Sequence, residues 1–579
     1  MVLNNIKEKA AEYLDFEENE YFRNELIEVL EKGTEGELSD RFYTDLGFGT
    51  GGLRGVIGGG YNRMNPYTVR KATQGLADYI NKQTKGGSVA IAYDSRNYSD
   101  LFAREAALTL CANGIKVFLF TALRPTPELS YAVRELGATA GIVVTASHNP
   151  PEYNGYKVYW SDGGQITPPH DSGIIEMVNA VRNPEKAMNE KDALEAGLLE
   201  YMDKEIDDAY IAMVKKYFLN PELIKNKGCE LKVVYTPLHG TGTMLVERIL
   251  GELGIEVVTV PQQREPDGNF PTVDYPNPEE ASAMQMALDL GKKLGADLVL
   301  GTDPDADRLG IAVPDTRGDY VLVSGNQLGC LLGDYIFSEL KRQDRMPEKP
   351  VLIKTIVTTE LQRLIGESYG ADVVDVLTGF KYIGEKIREF ETTGQNYVFG
   401  GEESYGYLVE TEVRDKDAVS AAVLTAEMAL VDRDRGLSLL DHLNDIYRRF
   451  GYFKEIMVSK TFKGQSGLEK IDSLMSVLRE NTPEAFGMSR VKLVRDYSKR
   501  IETEPASGRE KAITLPVSNV LQFVLEDQSI ITVRPSGTEP KIKFYASCRA
   551  AEGLTQEKAA AEVEDKLSKI KEDIEAVCS

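Results

Sequence analysis

Residues 141–150 read GIVVTASHNP, an apolar run that ends at a serine and a stiff Asn-Pro pair. Consecutive β-branched residues bounded by turn residues are typical of a buried strand. The strand therefore leads directly into a loop that carries Ser147. An isolated serine here would most simply be a turn or helix N-cap residue. A hydrolase nucleophile is disfavoured because the G-x-S-x-G motif is absent.

The same order of strand, helix, strand, helix and strand occurs three times along the chain. The repeats cover residues 89–150, 231–308 and 351–407, and each ends in a polar loop. Short β-rich runs that alternate with helices predict β-α-β units and parallel pairing. Ligands bind outside the carboxyl ends of parallel strands. We therefore expect three related domains that each present one loop to a central cleft.

After about residue 440 the pattern changes to short strands of a mixed α+β domain. We predict an α/β protein with three related α/β units, whose sheets are mixed and largely parallel, and a C-terminal α+β domain. The predicted domains are 1–205 (with a helical extension over about 1–40), 206–320, 321–440 and 441–579. The last helix carries an apolar stripe, which predicts packing on its own domain rather than a dimer seam. The stripe is Val563, Leu567, Ile570, Ile574 and Val577.

The composition excludes several classes of partner. The chain has 579 residues and a formal net charge of −24, which argues against nucleic acids and anionic membranes. The five cysteines are scattered, as in proteins of a reducing compartment. No apolar segment approaches the roughly 20 residues of a membrane span, and the N-terminus lacks a signal-peptide pattern. We expect a cytoplasmic protein, either a monomer or a homodimer.

The stretch GTDPDADRLG places Asp303, Asp305 and Asp307 at alternate positions after a strand. Alternate side chains share one face of an extended backbone, where three carboxylates repel unless a cation neutralises them. Oxygen ligands suit Mg²⁺, Mn²⁺ or Ca²⁺. An EF-hand loop is excluded, because its sixth position is Arg308 and its twelfth is Pro314. A solvated acidic turn remains the alternative. Arg308 would direct a fixed charge at an anion held by the metal.

Two further stretches indicate anion binding. RPSGT combines an arginine, two hydroxyls and a glycine that lets the backbone approach a phosphate, although a tight β-hairpin is the alternative. GFGTGGLRG (47–55) has the G-x-G-x-x-G spacing, but the residues before it are not a buried strand and those after it cannot open a helix. A glycine-rich loop that carries Arg54 beside an anion fits better than a dinucleotide site.

Together these loops resemble the α-D-phosphohexomutase superfamily, and within it the phosphoglucomutase/phosphomannomutase family. The family carries a serine loop, a metal loop, a sugar loop and a phosphate loop, one per domain. This sequence contains them in the same order, as TASHNP (145–150), DPDADR (303–308), GEES (401–404) and RPSGT (534–538). The resemblance spans roughly residues 45 to 550. It implies an isomerase that acts by intramolecular phosphotransfer.

The resemblance implies that Ser147 is carried as phosphoserine and phosphorylates a hydroxyl of a sugar monophosphate. The other phosphate of the bisphosphate then returns to Ser147. One Mg²⁺ per chain, held by the three aspartates and a phosphoserine oxygen, and glucose 1,6-bisphosphate as activator are implied as well. His148 and Lys157 match positions proposed for acid/base work, and Arg308 would contribute a fixed charge. A lysine base would need a depressed pKa.

Other positions match the family's substrate contacts. Glu402 and Ser404 would bind sugar hydroxyls, and Arg54 would face the reacting phosphate. Further implied contacts are Thr378 and Lys416, and, for the non-reacting phosphate, Arg534, Ser536, Gly537 and Thr538.

The preferred sugar phosphate is less sharply indicated. GEES followed by an aromatic residue resembles the phosphoglucomutases, whereas FGTGGLRG looks more like the branch that includes phosphopentomutase activity. A phosphomannomutase remains an alternative on the same chemistry. A metal-dependent sugar phosphatase would release free phosphate without a bisphosphate. A non-catalytic sugar-phosphate-binding protein would usually have lost the serine or an aspartate, and this sequence retains them all.

Overall fold

The computed structural model describes residues 2–182, 184, 186–462, 465–536 and 541–578, with only the backbone at 2–4, 465–466 and 468. The chain forms two compact units. The first comprises Met1–Gly325, Phe380–Phe399 and Ser404–Gly436, and the second comprises Asn326–Gly379, Gly400–Glu403 and Leu437–Ser579. In the described part of the chain, no helix is both long and apolar enough to cross a membrane.

The helices are α1 (Val2–Phe16), α2 (Glu20–Lys32), α3 (Glu35–Phe42), α4 (Pro66–Gln83), α5 (Ser99–Ala112), α6 (Thr126–Glu135), α7 (His170–Ala180), α8 (Glu190–Glu195), α9 (Lys204–Lys215), α10 (Pro221–Lys227), α11 (Gly242–Glu252), α12 (Pro261–Arg264), α13 (Ala281–Leu294), α14 (Gly325–Arg342), α15 (Glu360–Ser368), α16 (Phe380–Thr393), α17 (Ala418–Asp434), α18 (Leu439–Phe450), α19 (Gln465–Glu480) and α20 (Gln556–Cys578). A 3₁₀ turn covers Gly228–Glu230.

The strands are β1 (Gly52–Val56), β2 (Ser88–Tyr93), β3 (Lys116–Phe120), β4 (Ala140–Val144), β5 (Tyr153–Trp160), β6 (Leu199–Met202), β7 (Lys232–Thr236), β8 (Glu256–Thr259), β9 (Leu298–Thr302), β10 (Leu309–Pro314), β11 (Tyr320–Val323), β12 (Pro350–Thr355), β13 (Asp372–Val376), β14 (Asn396–Glu402), β15 (Gly406–Leu408), β16 (Phe453–Thr461), β17 (Ala485–Phe486), β18 (Ser489–Asp496), β19 (Ile501–Glu504), β20 (Arg509–Ala512), β21 (Leu521–Leu525), β22 (Ile530–Pro535) and β23 (Lys541–Arg549).

The first unit contains two sheets built from the predicted β-α-β repeats. One has the order β1-β5-β4-β2-β3-β6, and the other has the order β11-β10-β9-β7-β8. Strands β2, β3 and β4 pair in parallel, as do β7, β8 and β9, because a helix returns the chain between them. Strands β1, β5, β10 and β11 are antiparallel, so both sheets are mixed.

The carboxyl ends of β4 and β9 position the two central loops of the first unit. Strand β4 is buried along its whole length and ends at Val144, three residues before Ser147. Strand β9 is also fully buried and ends at Thr302, immediately before Asp303. The hydrophobic runs that sequence analysis assigned to strands therefore form the sheet centres, and the polar residues follow at their edges.

The second unit combines a parallel pair with an antiparallel sheet. Strands β12 and β13 pair in parallel, as the third repeat predicted. The C-terminal sheet has the order β16-β23-β22-β21-β18-β19-β20, and its neighbouring strands are antiparallel. Helix α20 buries its apolar stripe in the core of this sheet, which confirms that the stripe packs within its own domain. The predicted α/β class with a C-terminal α+β domain is confirmed, whereas the domain boundaries and the cleft stay predictions.

Gly52 is required where β1 approaches β5. Its φ of +140° favours glycine, and a Cβ there would lie 1.8 Å from the carbonyl oxygen of Tyr156. Backbone strain of this kind typically costs about 1–3 kcal/mol. Because the Cβ would also clash with Tyr156, we expect Gly52→Ala to lower the free energy of unfolding by more than that amount. Scanning calorimetry should show a lower unfolding temperature than for Gly47→Ala, whose Cβ would meet nothing within 4 Å. Equal unfolding temperatures for the two variants would contradict this account.

Candidate active site

Ser147 lies in a strained loop and is hydrogen-bonded to the acidic triplet. Its φ is +51°, a left-handed conformation that non-glycine residues rarely adopt. The Ser147 N–H donates to Thr145 Oγ1 over 2.8 Å. Ser147 Oγ donates to Asp303 Oδ2 over 2.7 Å and lies 3.1 Å from His148 Nδ1. The structure therefore brings together the serine loop and the acidic loop, which are far apart in sequence.

Arg96 binds the backbone of the serine loop. The sequence analysis did not identify this residue. Its buried guanidinium donates to four carbonyl oxygens of the loop, those of Ser147, Asn149, Pro150 and Tyr153. Asp94 is also buried, and its Oδ2 lies 3.5 Å from Arg96 Nε. Their place in the sequence could have indicated this role, because Asp94 and Arg96 follow β2 at the same sheet edge as Ser147.

The three aspartates form a buried group with the geometry of a cation site. Asp303, Asp305 and Asp307 each offer a carboxylate oxygen, and these oxygens lie within 4.8 Å of one another. Burial and repulsion from the other two carboxylates raise the pKa of Asp303 well above its ordinary value. Oδ1 of Asp305 and Oδ1 of Asp307 are buried without a hydrogen-bond partner among the described residues. Carboxylate oxygens that lack a hydrogen-bond partner are suitable ligands for Mg²⁺ or a similar divalent ion.

Backbone and threonine contacts fix the shape of the acidic loop. Asp303 Oδ1 accepts the N–H groups of Asp307 and Arg308, over 3.1 and 3.0 Å. Thr126, at the start of α6, donates its hydroxyl to Asp305 Oδ2 and its N–H to the Asp305 carbonyl oxygen, each over 2.9 Å. These bonds leave the other oxygens of Asp305 and Asp307 available to a cation.

Two lysines balance the charge of the carboxylates. Lys157 Nζ lies 2.9 Å from Asp305 Oδ2 and 3.5 Å from Asp307 Oδ2, and Lys416 Nζ lies 3.0 Å from Asp307 Oδ2. Burial alone would lower the pKa of Lys157, but Asp305 and Asp307 outweigh it, so the pKa is raised. Lys157 is therefore an ammonium here, the opposite of what a lysine base requires.

His148 is a neutral imidazole in this environment. Burial lowers its pKa well below the ordinary value, and the positive charges of Arg308 and Arg54 lower it further. Arg54 Nη1 donates to Asn149 Oδ1 over 3.4 Å, so the arginine of the glycine-rich stretch does reach the serine loop. Arg308 forms an ion pair with Glu279. A neutral imidazole beside a hydroxyl can accept a proton.

The other predicted site residues divide between the units. Ser404 belongs to the first unit, and Thr378, Glu402, Arg534 and Ser536 belong to the second. Gly537 and Thr538 lie outside the described residues. The roles that the resemblance assigns to all of them stay predictions.

Within the second unit, two of these predicted residues lie near one hydroxyl. Burial raises the pKa of Tyr545; Glu403 and Glu402 raise it further, and Arg534 opposes the rise. Glu402 Oε1 accepts the N–H of Gly379 over 2.9 Å. In the neighbouring Thr378, Oγ1 is buried and, among the residues described, has no hydrogen-bond partner. Glu402 and Arg534 therefore lie near the Tyr545 hydroxyl within the second unit.

Comparisons with known proteins identify the family of this chain. Models described as phosphoglucomutase/phosphomannomutase alpha/beta/alpha domains I, II and III and C-terminal domain match residues 45–185, 208–318, 324–450 and 488–566. A phosphoglucomutase of Staphylococcus haemolyticus (strain JCSC1435) is 37% identical over 509 residues, 87% of this chain and 91% of the relative. The chain belongs to the phosphoglucomutase/phosphomannomutase family.

Two further matches agree with this family. A Staphylococcus saprophyticus phosphoglucomutase is 38% identical over 523 residues, 89% of this chain and 93% of the relative. The crystal structure of the exocytosis-sensitive phosphoprotein parafusin (phosphoglucomutase) from Paramecium, in its open form, is similar to this chain with a TM-score of 0.68 and 17% identity. It covers 91% of this chain and 95% of that one, which shows the shared fold.

The acidic triplet of this family member should bind one divalent cation. We expect Asp305→Asn to weaken Mn²⁺ binding by at least about 100-fold, because loss of a direct ligand should cost no less than loss of an outer partner. Titration followed by electron paramagnetic resonance measures the affinity. Asp319→Asn, which removes the same charge from an exposed ion pair with Lys292, is the control. Equal affinities in both variants would exclude the triplet as the metal site.

Proposed function

We propose that this protein is a phosphoglucomutase, which interconverts glucose 1-phosphate and glucose 6-phosphate through a phosphoserine at Ser147 and a sugar bisphosphate. The observation that carries the proposal is the 2.7 Å hydrogen bond from Ser147 Oγ to Asp303. It joins a serine in a strained, clamped loop to a buried carboxylate cluster. Phosphoryl transfer needs mainly positioning and charge neutralisation, and this contact supports both.

In the proposed reaction, the bond between phosphorus and Ser147 Oγ breaks as a bond forms between phosphorus and a sugar hydroxyl oxygen. The hydroxyl proton passes to a base on the protein. The bisphosphate then presents its other phosphate, and the same exchange in reverse phosphorylates Ser147 again. Glucose 1,6-bisphosphate would act as activator, because it phosphorylates any chain that has lost the phosphoryl group.

His148 and Lys157 supply the proton chemistry in this proposal. The neutral imidazole of His148, 3.1 Å from Ser147 Oγ, accepts the proton of the attacking sugar hydroxyl and gives it back to the sugar oxygen when Ser147 is phosphorylated again. The ammonium of Lys157 stabilises negative charge on the transferring oxygens and can return a proton to the leaving oxygen. Arg308 and Arg54 contribute fixed positive charge beside the same loop.

The residues proposed to hold Mg²⁺ are Asp303, Asp305, Asp307 and, through its phosphate, Ser147. The unpaired carboxylate oxygens described above fit such an ion. When bound, the ion neutralises charge on the transferring phosphoryl group. The proposal keeps Lys416 and Ser404 as substrate contacts of the first unit. Of the second unit it keeps Thr378, Glu402, Arg534 and Ser536, together with Gly537 and Thr538.

A pentose phosphate is the second candidate substrate, because FGTGGLRG departs from the main phosphoglucomutase pattern and looks more like the branch that includes phosphopentomutase activity. Mannose 1-phosphate and ribose 1-phosphate therefore belong in the same assay as glucose 1-phosphate.

We expect Ser147→Ala to lower the conversion of glucose 1-phosphate by at least about 1,000-fold, because the group that carries the phosphoryl is lost. The assay contains Mg²⁺ and catalytic glucose 1,6-bisphosphate and measures glucose 6-phosphate. Ser172→Ala, an exposed serine of the same unit, should retain wild-type activity. Full activity in Ser147→Ala would exclude the phosphoserine mechanism. Release of inorganic phosphate without isomerisation would identify a phosphatase instead.

Lys157→Met should lower kcat by about 10²–10⁴-fold, the usual contribution of a positioned acid or base. The change removes the ammonium but keeps the length and apolar stem of the side chain. Lys191→Met is the control, because Lys191 is highly exposed and forms an ion pair with Glu195 on its own helix. A Lys157→Met enzyme with unchanged kcat would remove Lys157 from the chemical step.

A further inference from the structure

His239 lies in a strained loop that follows β7. Leu238 and His239 have φ values of +47° and +62°, a left-handed conformation that non-glycine residues rarely adopt. The ring is buried between two partners: Nδ1 lies 3.3 Å from the Glu265 carbonyl oxygen, and Nε2 lies 2.9 Å from Thr272 Oγ1. A carbonyl only accepts, so Nδ1 carries the proton and Nε2 accepts from Thr272. The hydroxyl of Thr272 in turn accepts from Gln263 Nε2 over 3.0 Å.

The same loop packs against the acidic loop. The Thr241 N–H donates to the Pro304 carbonyl oxygen over 2.8 Å. A Cβ on Gly240 would lie 2.4 Å from Pro304 Cα, so the two backbones meet with no room for a side chain. Pro304 separates Asp303 from Asp305, and movement of the His239 loop would therefore move the carboxylates.

On its other side, the His239 loop supports a turn that covers Arg96. The His239 carbonyl oxygen accepts the Asp267 N–H over 3.2 Å. The turn then places the Phe270 ring 5.0 Å from Arg96 Cζ, with Phe270 itself at a φ of +46°. Asn269 Oδ1 accepts from Asn97 Nδ2 over 3.0 Å. Arg96 is the residue that binds the carbonyl oxygens of the serine loop.

We infer that His239 is a positioning residue that holds the serine loop and the acidic loop in a fixed relation. It acts through Thr241 and Pro304 on one side, and through the turn at residues 267–270 and Arg96 on the other. This inference rests on the proposed function, because it concerns the geometry of phosphoryl transfer at Ser147. A misplacement of about 1 Å can reduce such a reaction about 100-fold.

The decisive variant is Thr272→Val, which removes the hydroxyl from Nε2 of His239 at nearly constant shape. His239→Ala removes both ring bonds, and His239→Gln keeps a polar group that can reach Thr272. We expect kcat for glucose 1-phosphate isomerisation to fall about 10-fold in Thr272→Val and about 100-fold in His239→Ala. His239→Gln should be intermediate, and KM should change by less than about 3-fold, because substrate-binding groups are untouched.

His170→Asn is the matched control. His170 is a histidine of the same unit whose ring is hydrogen-bonded to Tyr79, and it has no place in the proposed chemistry. Each variant is compared with it at a temperature where both are folded. A kcat within 3-fold of wild type in both Thr272→Val and His239→Ala would overturn the inference. If His239→Ala does not fold, the kcat of Thr272→Val decides.

Hydrogen exchange separates this inference from the proposed function. In His239→Ala or Thr272→Val, amides of residues 145–155 should exchange at least about 10-fold faster than in wild type, whereas His170→Asn should leave them unchanged. This readout does not require the enzyme to turn over glucose phosphate. Faster exchange in the variants, together with a wild-type protein that lacks mutase activity, would refute the proposed function but retain the coupling of the loops. Unchanged exchange in both variants would refute the coupling itself.

Discussion

Three carboxylates at the edge of a buried strand impose the main physical constraint on this protein. Asp303, Asp305 and Asp307 are shielded from water, and their mutual repulsion is evident in the raised pKa of Asp303. Such a cluster survives burial only when positive charge and donors surround it. Lys157 and Lys416 provide the charge, and Thr126 and backbone N–H groups provide hydrogen bonds. The oxygens left unpaired are then oriented for a cation.

Ser147 is also fixed in position by buried polar contacts. Its loop adopts a conformation that costs free energy, and Arg96 compensates by binding several of its carbonyl oxygens at once. Arg96 is itself buried against Asp94 and covered by Phe270. The reactive hydroxyl is therefore fixed by a chain of buried polar contacts. Such preorganisation suits phosphoryl transfer, in which little covalent chemistry falls to the protein.

Part of the candidate site was predictable because its residues follow buried strands. The apolar runs before Ser147 and Asp303 identified the strands, and the parallel pattern implied that each repeat presents the loop after its last strand to a shared cleft. Arg96 and Thr126 escaped prediction because each lies in an unremarkable polar stretch and acquires its role only through contacts with distant loops. The protonation states could not be predicted from the sequence either, because the pKa of Lys157 depends on Asp305, which lies 148 residues away in sequence.

The sequence alone determined the fold class, the order of the loops and the residue types that carry the chemistry. It could do so because strand burial and turn chemistry are encoded locally. Only the tertiary structure decided which oxygens of Asp305 and Asp307 lack a hydrogen-bond partner among the described residues, which groups carry charge, and how the strained loops at Ser147 and His239 are held. Those properties depend on desolvation and on distances between residues far apart in the chain, and neither is present in the order of amino acids itself.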